Sequence, residues 1–300
     1  MSMKNVVVSS VAYMIVPLFM LGCSGQSKQS KEKDVITESV EVLNVKENML
    51  STLDLDGMKV TWIRDNAKDR LMPRSLFPDA TDAQIDSLSL QEGVPASVSA
   101  FLVEKDGKYM LFDSGVGAPD SKLQEGLKTL GVLPSEIVYI FITHFHGDHI
   151  GGMMKDGGPV FTNAEIYASK TEYDEWMKMP EDKKSQVETM MKAYGDRVHM
   201  FAFGDTLPCN VIAMDASGHT PGHTVFQTGK LLVVGDLMHG AALQLKYPDI
   251  CATYDMDKKG AIKSRKHYIE YARKNNLVIA GMHLPVPAFM KLSLIHISEP

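Results

Sequence analysis

Between Thr143 and Gly152 the chain reads Thr-His-Phe-His-Gly-Asp-His-Ile-Gly-Gly, which places His144, His146, Asp148 and His149 within six residues. Imidazole nitrogens and carboxylate oxygens are the donors that borderline divalent ions prefer, and no thiolate lies beside them. The run just before, Ile137 to Ile142, is short, apolar and rich in β-branched residues, which predicts a buried strand. A cluster at the end of a central strand sits on a loop, and a loop can turn all four side chains inward. The chemistry these residues could do is metal binding and metal-assisted attack on a polarised bond.

The pattern His-x-His-x-Asp-His followed by Gly-Gly resembles the signature of the metallo-β-lactamase superfamily. That resemblance implies three further ligands, each at a strand end. His219 in Gly218-His219-Thr220-Pro221-Gly222-His223, Asp236 after Leu231 to Gly235, and His283 after Leu277 to Gly281 stand where they are expected. It further implies that one ion takes His144, His146 and His219, and the other Asp148, His149 and His283. Asp236 and a hydroxide would link the two ions. Zn2+ suits so histidine-rich a set, and Mn2+, Fe2+ and Co2+ fit the same ligand types. His223 is expected to support the site through its ring hydrogen bonds. Asp113-Ser114-Gly115 resembles the superfamily's Asp-Thr-Gly turn, whose Asp supports the metal loop.

Asp148 and Asp236 also offset cation charge, and with His239 they form the expected catalytic set. His239 stands three residues after Asp236, where quorum-quenching lactonases of the family commonly carry Tyr. A neutral imidazole there can still donate a hydrogen bond to a carbonyl or leaving oxygen. Asp236 stands where the cysteine-ligand β-lactamases carry Cys. Outside the ligands, Ala241-Ala242-Leu243-Gln244, Asp255-Met256-Asp257-Lys258 and Ile279-Ala280-Gly281-Met282 are similar to the methyl parathion hydrolase group. The expected activity is dinuclear metal-dependent hydrolysis of a small ester, lactone or phosphotriester. Alternatives are an N-acyl homoserine lactonase, a phosphodiesterase on the same fold, or a lipoprotein that binds metal without turnover.

Composition narrows the partners. The chain has 300 residues, 44% of them apolar, enough for a substantial core, and a net charge of −6. An acidic chain lacks the concentrated basic face that phosphate backbones require, so the expected partner is a small molecule and not a nucleic acid. Three cysteines make no disulfide framework; Cys209 and Cys251 could pair or remain buried thiols. Nothing in the sequence sets the oligomeric state.

The elements that must hold these residues follow in order. Lys4, an apolar run from Val6 to Leu21 and Gly22-Cys23 resemble a bacterial lipoprotein signal, so 1–22 is expected to be cleaved and Cys23 lipidated. That makes the expectation an exported lipoprotein, held at the outer membrane or facing the periplasm. Residues 23–50 read as a polar tether and domain entry, and 51–291 as the hydrolase domain. Residues 292–300 read like a translated sequencing adapter outside the native fold.

Within the domain, Met58 to Ile63 alternates as a strand, and Arg64 to Pro95 reads as a long loop with one helical stretch, a flap beside the site. A hairpin turns at Asp106-Gly107. Helices are expected over Lys122 to Leu130, in the region up to Tyr194 with a break at Pro180, and from an Asp257 cap to Asn275. Strands are expected at Glu165–Ala168, Val198–Ala202, Val211–Asp215, Thr224–Gln227, Leu231–Gly235 and Leu277–Ala280. Strands alternating with helices in two hairpin-rich halves suggest an α/β fold of two sheets packed face to face. The superfamily has that αββα sandwich, two mixed sheets with helices outside.

Overall fold

The structure, a computed structural model, describes residues 35–38, 44–46, 49–286 and 288–294. The expected leader, Cys23 and the first part of the tether lie outside the described residues. Among the described residues, no helix is long and apolar enough to cross a membrane.

The chain opens with strands β1 (Val35–Glu38), β2 (Asn44–Lys46), β3 (Leu50–Leu55) and β4 (Met58–Arg64). Next come β5 (Arg70–Met72), helix α1 (Asp82–Ser87), β6 (Val94–Ala96), the hairpin β7 (Ser99–Lys105) and β8 (Lys108–Phe112), and α2 (Leu123–Thr129). Strand β9 (Ile137–Phe141) delivers the histidine loop, which runs into the single turn α3 (Gly147–Ile150). The ribbon β10 (Met154–Lys155) and β11 (Gly158–Pro159) leads to β12 (Glu165–Ser169), α4 (Lys170–Trp176), α5 (Glu181–Tyr194) and β13 (Val198–Phe201). The second half runs β14 (Thr206–Leu207), β15 (Val211–Asp215), β16 (Thr224–Thr228), β17 (Leu231–Val233), α6 (Ala241–Gln244), α7 (Lys258–Lys274), β18 (Val278–Ala280) and β19 (Phe289–Leu294).

Two mixed sheets result. One has eight strands in the order β13-β12-β9-β8-β7-β4-β3-β2, and the other seven in the order β1-β19-β18-β17-β16-β15-β14. Parallel pairing joins β8 to β9, β9 to β12, β12 to β13, and β17 to β18, while the hairpins are antiparallel. The period of two along β4 explains how the sheets stack. Val60 and Trp62 face the other sheet, and Ile63 faces out toward α2. Gly126 lets that helix lie close, since a Cβ there would meet Ile63 Cγ2 at 2.4 Å. Between the sheets, the Phe226 ring lies 5.8 Å from Phe112 and 5.6 Å from Phe141. This fills the middle of the sandwich with interlocked aromatic area.

Expected and observed elements differ in two places. Arg64 to Pro95 is not one open loop: β5 and β6 pair, Thr81 and Gln84 form a capping box on α1, and Phe77, Leu90 and Val94 bury themselves against Leu243 of α6. The prolines that broke the periodic pattern conceal a small core of its own. At the chain's end, β19 pairs with β18 and β1 and runs through Leu294, three residues into the segment set apart in the sequence. Leu292 is buried there, and 295–300 lie outside the described residues.

Candidate metal centre

The backbone brings the residues together before any side chain is considered. β9 ends at Phe141, and Thr143 is caught at once by Asp113, which follows β8. The Asp113 carboxylate accepts from Thr143 N at 2.8 Å, from Thr143 Oγ1 at 2.7 Å and from His149 Nδ1 at 2.7 Å. Ser114 returns the hold, donating to His149 O from both its backbone N–H and its hydroxyl. The glycines after the motif are required by contact. A Cβ on Gly151 would meet Val116 O at 1.9 Å, and one on Gly152 would meet Ser114 O at 2.0 Å. The 113–117 turn therefore lies directly against the 144–152 loop.

The other three ligand positions arrive on separate strand ends of the seven-stranded sheet. His219 follows β15 on a turn where a Cβ at Gly218 (φ +140°) would strike the first turn of α7, 2.0 Å from Ala261 N. Asp236 follows β17 through Gly235, whose φ of +51° turns the chain beside His223. His283 follows β18. Its Nδ1–H donates to Ser97 O at 2.8 Å, while the hydroxyls of Ser97 and Ser99 pin the carbonyl of Met282.

These positions converge. His144, His146, His219 and Asp236 each place a donor atom within 4.8 Å of the others, and so do Asp148, His149 and His283. His146 Nδ1 faces His144 Nε2 at 3.0 Å and His219 Nε2 at 2.9 Å. Asp236 Oδ2 lies 3.0 Å from His283 Nε2 and 3.3 Å from His219 Nε2, while Oδ1 lies 3.0 Å from His149 Nε2. Asp148 reaches His149 and His283 at 3.7 and 3.6 Å. Asp236 thus lies between the two groups.

The outer ring nitrogens show what belongs in the middle. His144 Nδ1 meets Thr143 Oγ1 at 3.0 Å, and that hydroxyl spends its own proton on Asp113. His149, His219 and His283 turn their outer nitrogens to Asp113, Asp255 and Ser97 O. Each outer nitrogen therefore carries a proton, and each inner one turns toward the shared centre, where its lone pair can meet an ion once any proton there has left. Ring nitrogens facing one another at about 3 Å repel unless a proton or a metal ion sits among them. His149 Nε2 and Asp236 Oδ1 are buried with no hydrogen-bond partner, which leaves both free for an ion. The residues present fit divalent metal ions.

Electrostatics agree. Burial favours neutral Asp236, but His149, His283 and His144 around it hold its carboxyl well below the usual range. Burial pulls His219 down, yet its hydrogen bonds with Asp236 and Asp255 outweigh that and raise it to about 9. His149 and His283 are drawn up in the same way, chiefly by Asp236 against the cost of burial. Without a cation these carboxylates gather protons, so the site favours positive charge. Burial and then His219 lower His146 to about 3.

His223 sits beside this set and outside it. Its Nδ1–H donates to Ala216 O at 3.3 Å and its Nε2 accepts from Asp236 N at 3.0 Å. It holds the Asp236 backbone. His239 is 1% exposed, with Nε2 3.2 Å from Asp236 Oδ2 and neither ring nitrogen satisfied by a hydrogen bond. Its ring stacks on His283 at 5.1 Å and approaches Tyr254 at 5.8 Å. Cys209 and Cys251 are free thiols, and neither enters the site.

Sequence reasoning missed the residues that act from a distance. Asp255 orients His219 and is itself held by Arg265, whose buried guanidinium also donates to Leu237 O, Pro248 O and Ile250 O. Glu172 on α4 was also unremarked. Neither carries a local signal, since their partners lie up to fifty residues away in the chain.

Two mixed sheets packed face to face, with a histidine and carboxylate site at their strand ends, define the αββα class of metal-site proteins. The chain belongs to the metallo-beta-lactamase superfamily, whose family model matches residues 93–283. It is similar to ribonuclease Z of Streptococcus equi subsp. equi (strain 4047), 29% identical over 144 residues, covering 45% of this chain and 43% of that one. Ribonuclease Z of Streptococcus pyogenes serotype M5 (strain Manfredo) is 30% identical over 150 residues, covering 47% and 45%. The chain thus spans less than half the length of these curated relatives. Among solved structures, the hydrolase AbOPH of the beta-lactamase superfamily superposes with a TM-score of 0.73 at 26% identity, covering 85% of this chain and 100% of that one. AidC, a dizinc quorum-quenching lactonase, superposes with a TM-score of 0.74 at 23% identity over the same shares.

Proposed function

We propose that the protein is a dinuclear metallohydrolase acting on a small ester, lactone or phosphotriester. The observation that carries this reading is the convergence of five imidazole nitrogens with two carboxylates at the strand ends. His144, His146, His219 and Asp236 would hold one ion, and Asp148, His149, His283 and Asp236 the other, most suitably zinc. Bound ions would supply Lewis acidity toward the scissile carbonyl or phosphoryl oxygen and lower the pKa of a water beside them. The chain's own groups do the rest. Asp236, buried between the groups, keeps the site negative enough to gather cations. Asp148, whose side chain is 33% exposed, is within reach of solvent and can take a proton from attacking water or return one to a leaving oxygen. His239 is held neutral by burial, so an N–H remains to hydrogen-bond a carbonyl or leaving oxygen. Tyr254, 53% exposed beside it, offers a ring face to an apolar substituent.

The similarity to ribonuclease Z favours a second reading, a phosphodiesterase on the same fold. One screen separates the two: metal analysis with p-nitrophenyl esters, lactones, paraoxon-type triesters, bis-p-nitrophenyl phosphate and a tRNA precursor. The expected result is about two metal equivalents, with ester, lactone or triester turnover lost on chelation and restored by zinc, manganese or cobalt. Asp236→Ala should lower both occupancy and turnover. Full activity in the presence of a strong chelator would sink the metallohydrolase reading, and cleavage of the RNA or diester alone would favour the second.

The opening residues carry a separate proposal. From the run ending at Gly22-Cys23, export and lipidation of Cys23 would tether the enzyme to a membrane, with residues 24–34 as a polar spacer.

A further inference from the structure

Four of the five ring donors have an acceptor of their own behind them: Thr143, Asp113, Asp255 and Ser97 O for His144, His149, His219 and His283. Among the described residues His146 has none: its hydrogen-bond partners all meet Nδ1, and no described residue accepts from its outer nitrogen. Something else must fix that ring, because an unheld imidazole on a loop would lose entropy on taking up an ion.

The residue placed to do so is Glu172, on α4 and 1% exposed. Its Oε1 accepts from Phe145 N at 3.1 Å and from Trp176 Nε1 at 2.7 Å. Its Oε2 accepts from Thr220 Oγ1 at 2.9 Å and Gly222 N at 2.6 Å. Phe145 lies between His144 and His146, while Thr220 and Gly222 follow His219. One carboxylate therefore ties together the two loops that carry all three histidines of one group. The Gly222 backbone is pressed against the same residue, since a Cβ there would lie 2.2 Å from Glu172 N. The indole that Glu172 holds stands edge-on to His146, with ring centroids 5.8 Å apart and planes at 77°.

A carboxylate so deeply buried is costly unless its oxygens are satisfied. Here four donors satisfy it, and three of the four come from ligand-bearing loops. We propose that Glu172 is a positioning residue for His146 and His219. Through the backbone of Phe145 and Gly222 and through the indole of Trp176, it sets the separation of their inner nitrogens and so the affinity for the ion between them. This rests on the metal-centre reading above.

Cobalt(II) titration tests it, with Trp176 as the nearby fluorophore whose quenching reports filling of the His146 group. Competition against a chromophoric chelator gives both ion affinities. In Glu172→Gln the shape is kept, but an amide N–H2 must face two of the four donors; Thr220→Val removes one hydrogen bond and is the milder variant. The expected result is a tenfold or greater weakening at the quenching site in Glu172→Gln, a smaller one in Thr220→Val, and an unchanged second affinity. Far-UV circular dichroism and a cooperative melt establish that each variant is folded. Folded variants with lowered Tm and wild-type affinity at both sites would reduce Glu172 to a scaffold residue and overturn the proposal. If the wild-type protein itself takes up neither cobalt nor zinc, the metal-centre reading fails first and this one falls with it.

Discussion

His219 links the charge of the site to its pH behaviour. With no ion present its hydrogen bonds to Asp236 and Asp255 hold it protonated up to about pH 9. Its inner lone pair becomes available only when that proton leaves. The raised pKa therefore means that protons compete with the metal below about pH 9, and affinity should fall as pH falls. Titration calorimetry of zinc binding at pH 7, in buffers of different ionisation enthalpy, should show release of at least about one proton; no release would contradict the protonated His219. His239 calls for a different experiment. If its N–H bonds the substrate oxygen, His239→Phe should cut ester or lactone kcat by about 10- to 100-fold and leave metal content intact. Unchanged turnover at unchanged metal content would make it a packing residue.

At the scale of elements, the site depends on how closely one loop lies on another. The 113–117 turn and the 144–152 loop touch backbone to backbone because Gly151 and Gly152 have no Cβ. Gly151→Ala forces its new carbon to 1.9 Å from Val116 O, and neither segment can give way without moving Asp113 off His149. A loss of about 1–3 kcal/mol or more is expected, read as a lower Tm together with reduced metal occupancy. Gly158→Ala, where the added carbon meets only Lys155 O at 3.9 Å, is the matched control and should change neither. The flap belongs to this scale too. Its cluster of Phe77, Leu90 and Val94 rests on Leu243 of α6, a few residues past His239. Gly240 fits beneath Val94 and Phe77 only for want of a Cβ, so the flap is built onto the segment that carries His239.

For the molecule as a whole, the two sheets share one apolar core and meet again at the strand ends that carry the site. The eight-stranded sheet supplies His144, His146, Asp148 and His149, and the seven-stranded sheet supplies His219, Asp236 and His283. The site is assembled by sheet packing, so ion binding should stabilise the sandwich as one unit. The proposed anchor is separable from it. Cys23→Ala should move the protein from the membrane fraction to the soluble fraction while leaving turnover unchanged. Retention in the membrane fraction would show that no lipid on Cys23 holds it there.

The candidate metal motif was legible because it is local: three histidines and an aspartate in six residues after a β-branched run need no tertiary information. The downstream candidates His219, Asp236 and His283 were legible because the resemblance carried by that motif implies three further ligands at strand ends. So were the hairpin at Asp106-Gly107, the Asp257 cap and the α/β alternation, since turn chemistry and periodicity act within a few residues. What only the tertiary structure decided is long-range. β1 is short and weakly patterned, and it becomes a strand by pairing with β19 from the far end of the chain. The flap's small core needed its contact with α6. Glu172, Asp255 and Arg265 look like ordinary charged residues in sequence, because burial and hydrogen bonding give a charge its role, and both are properties of the packed sheets.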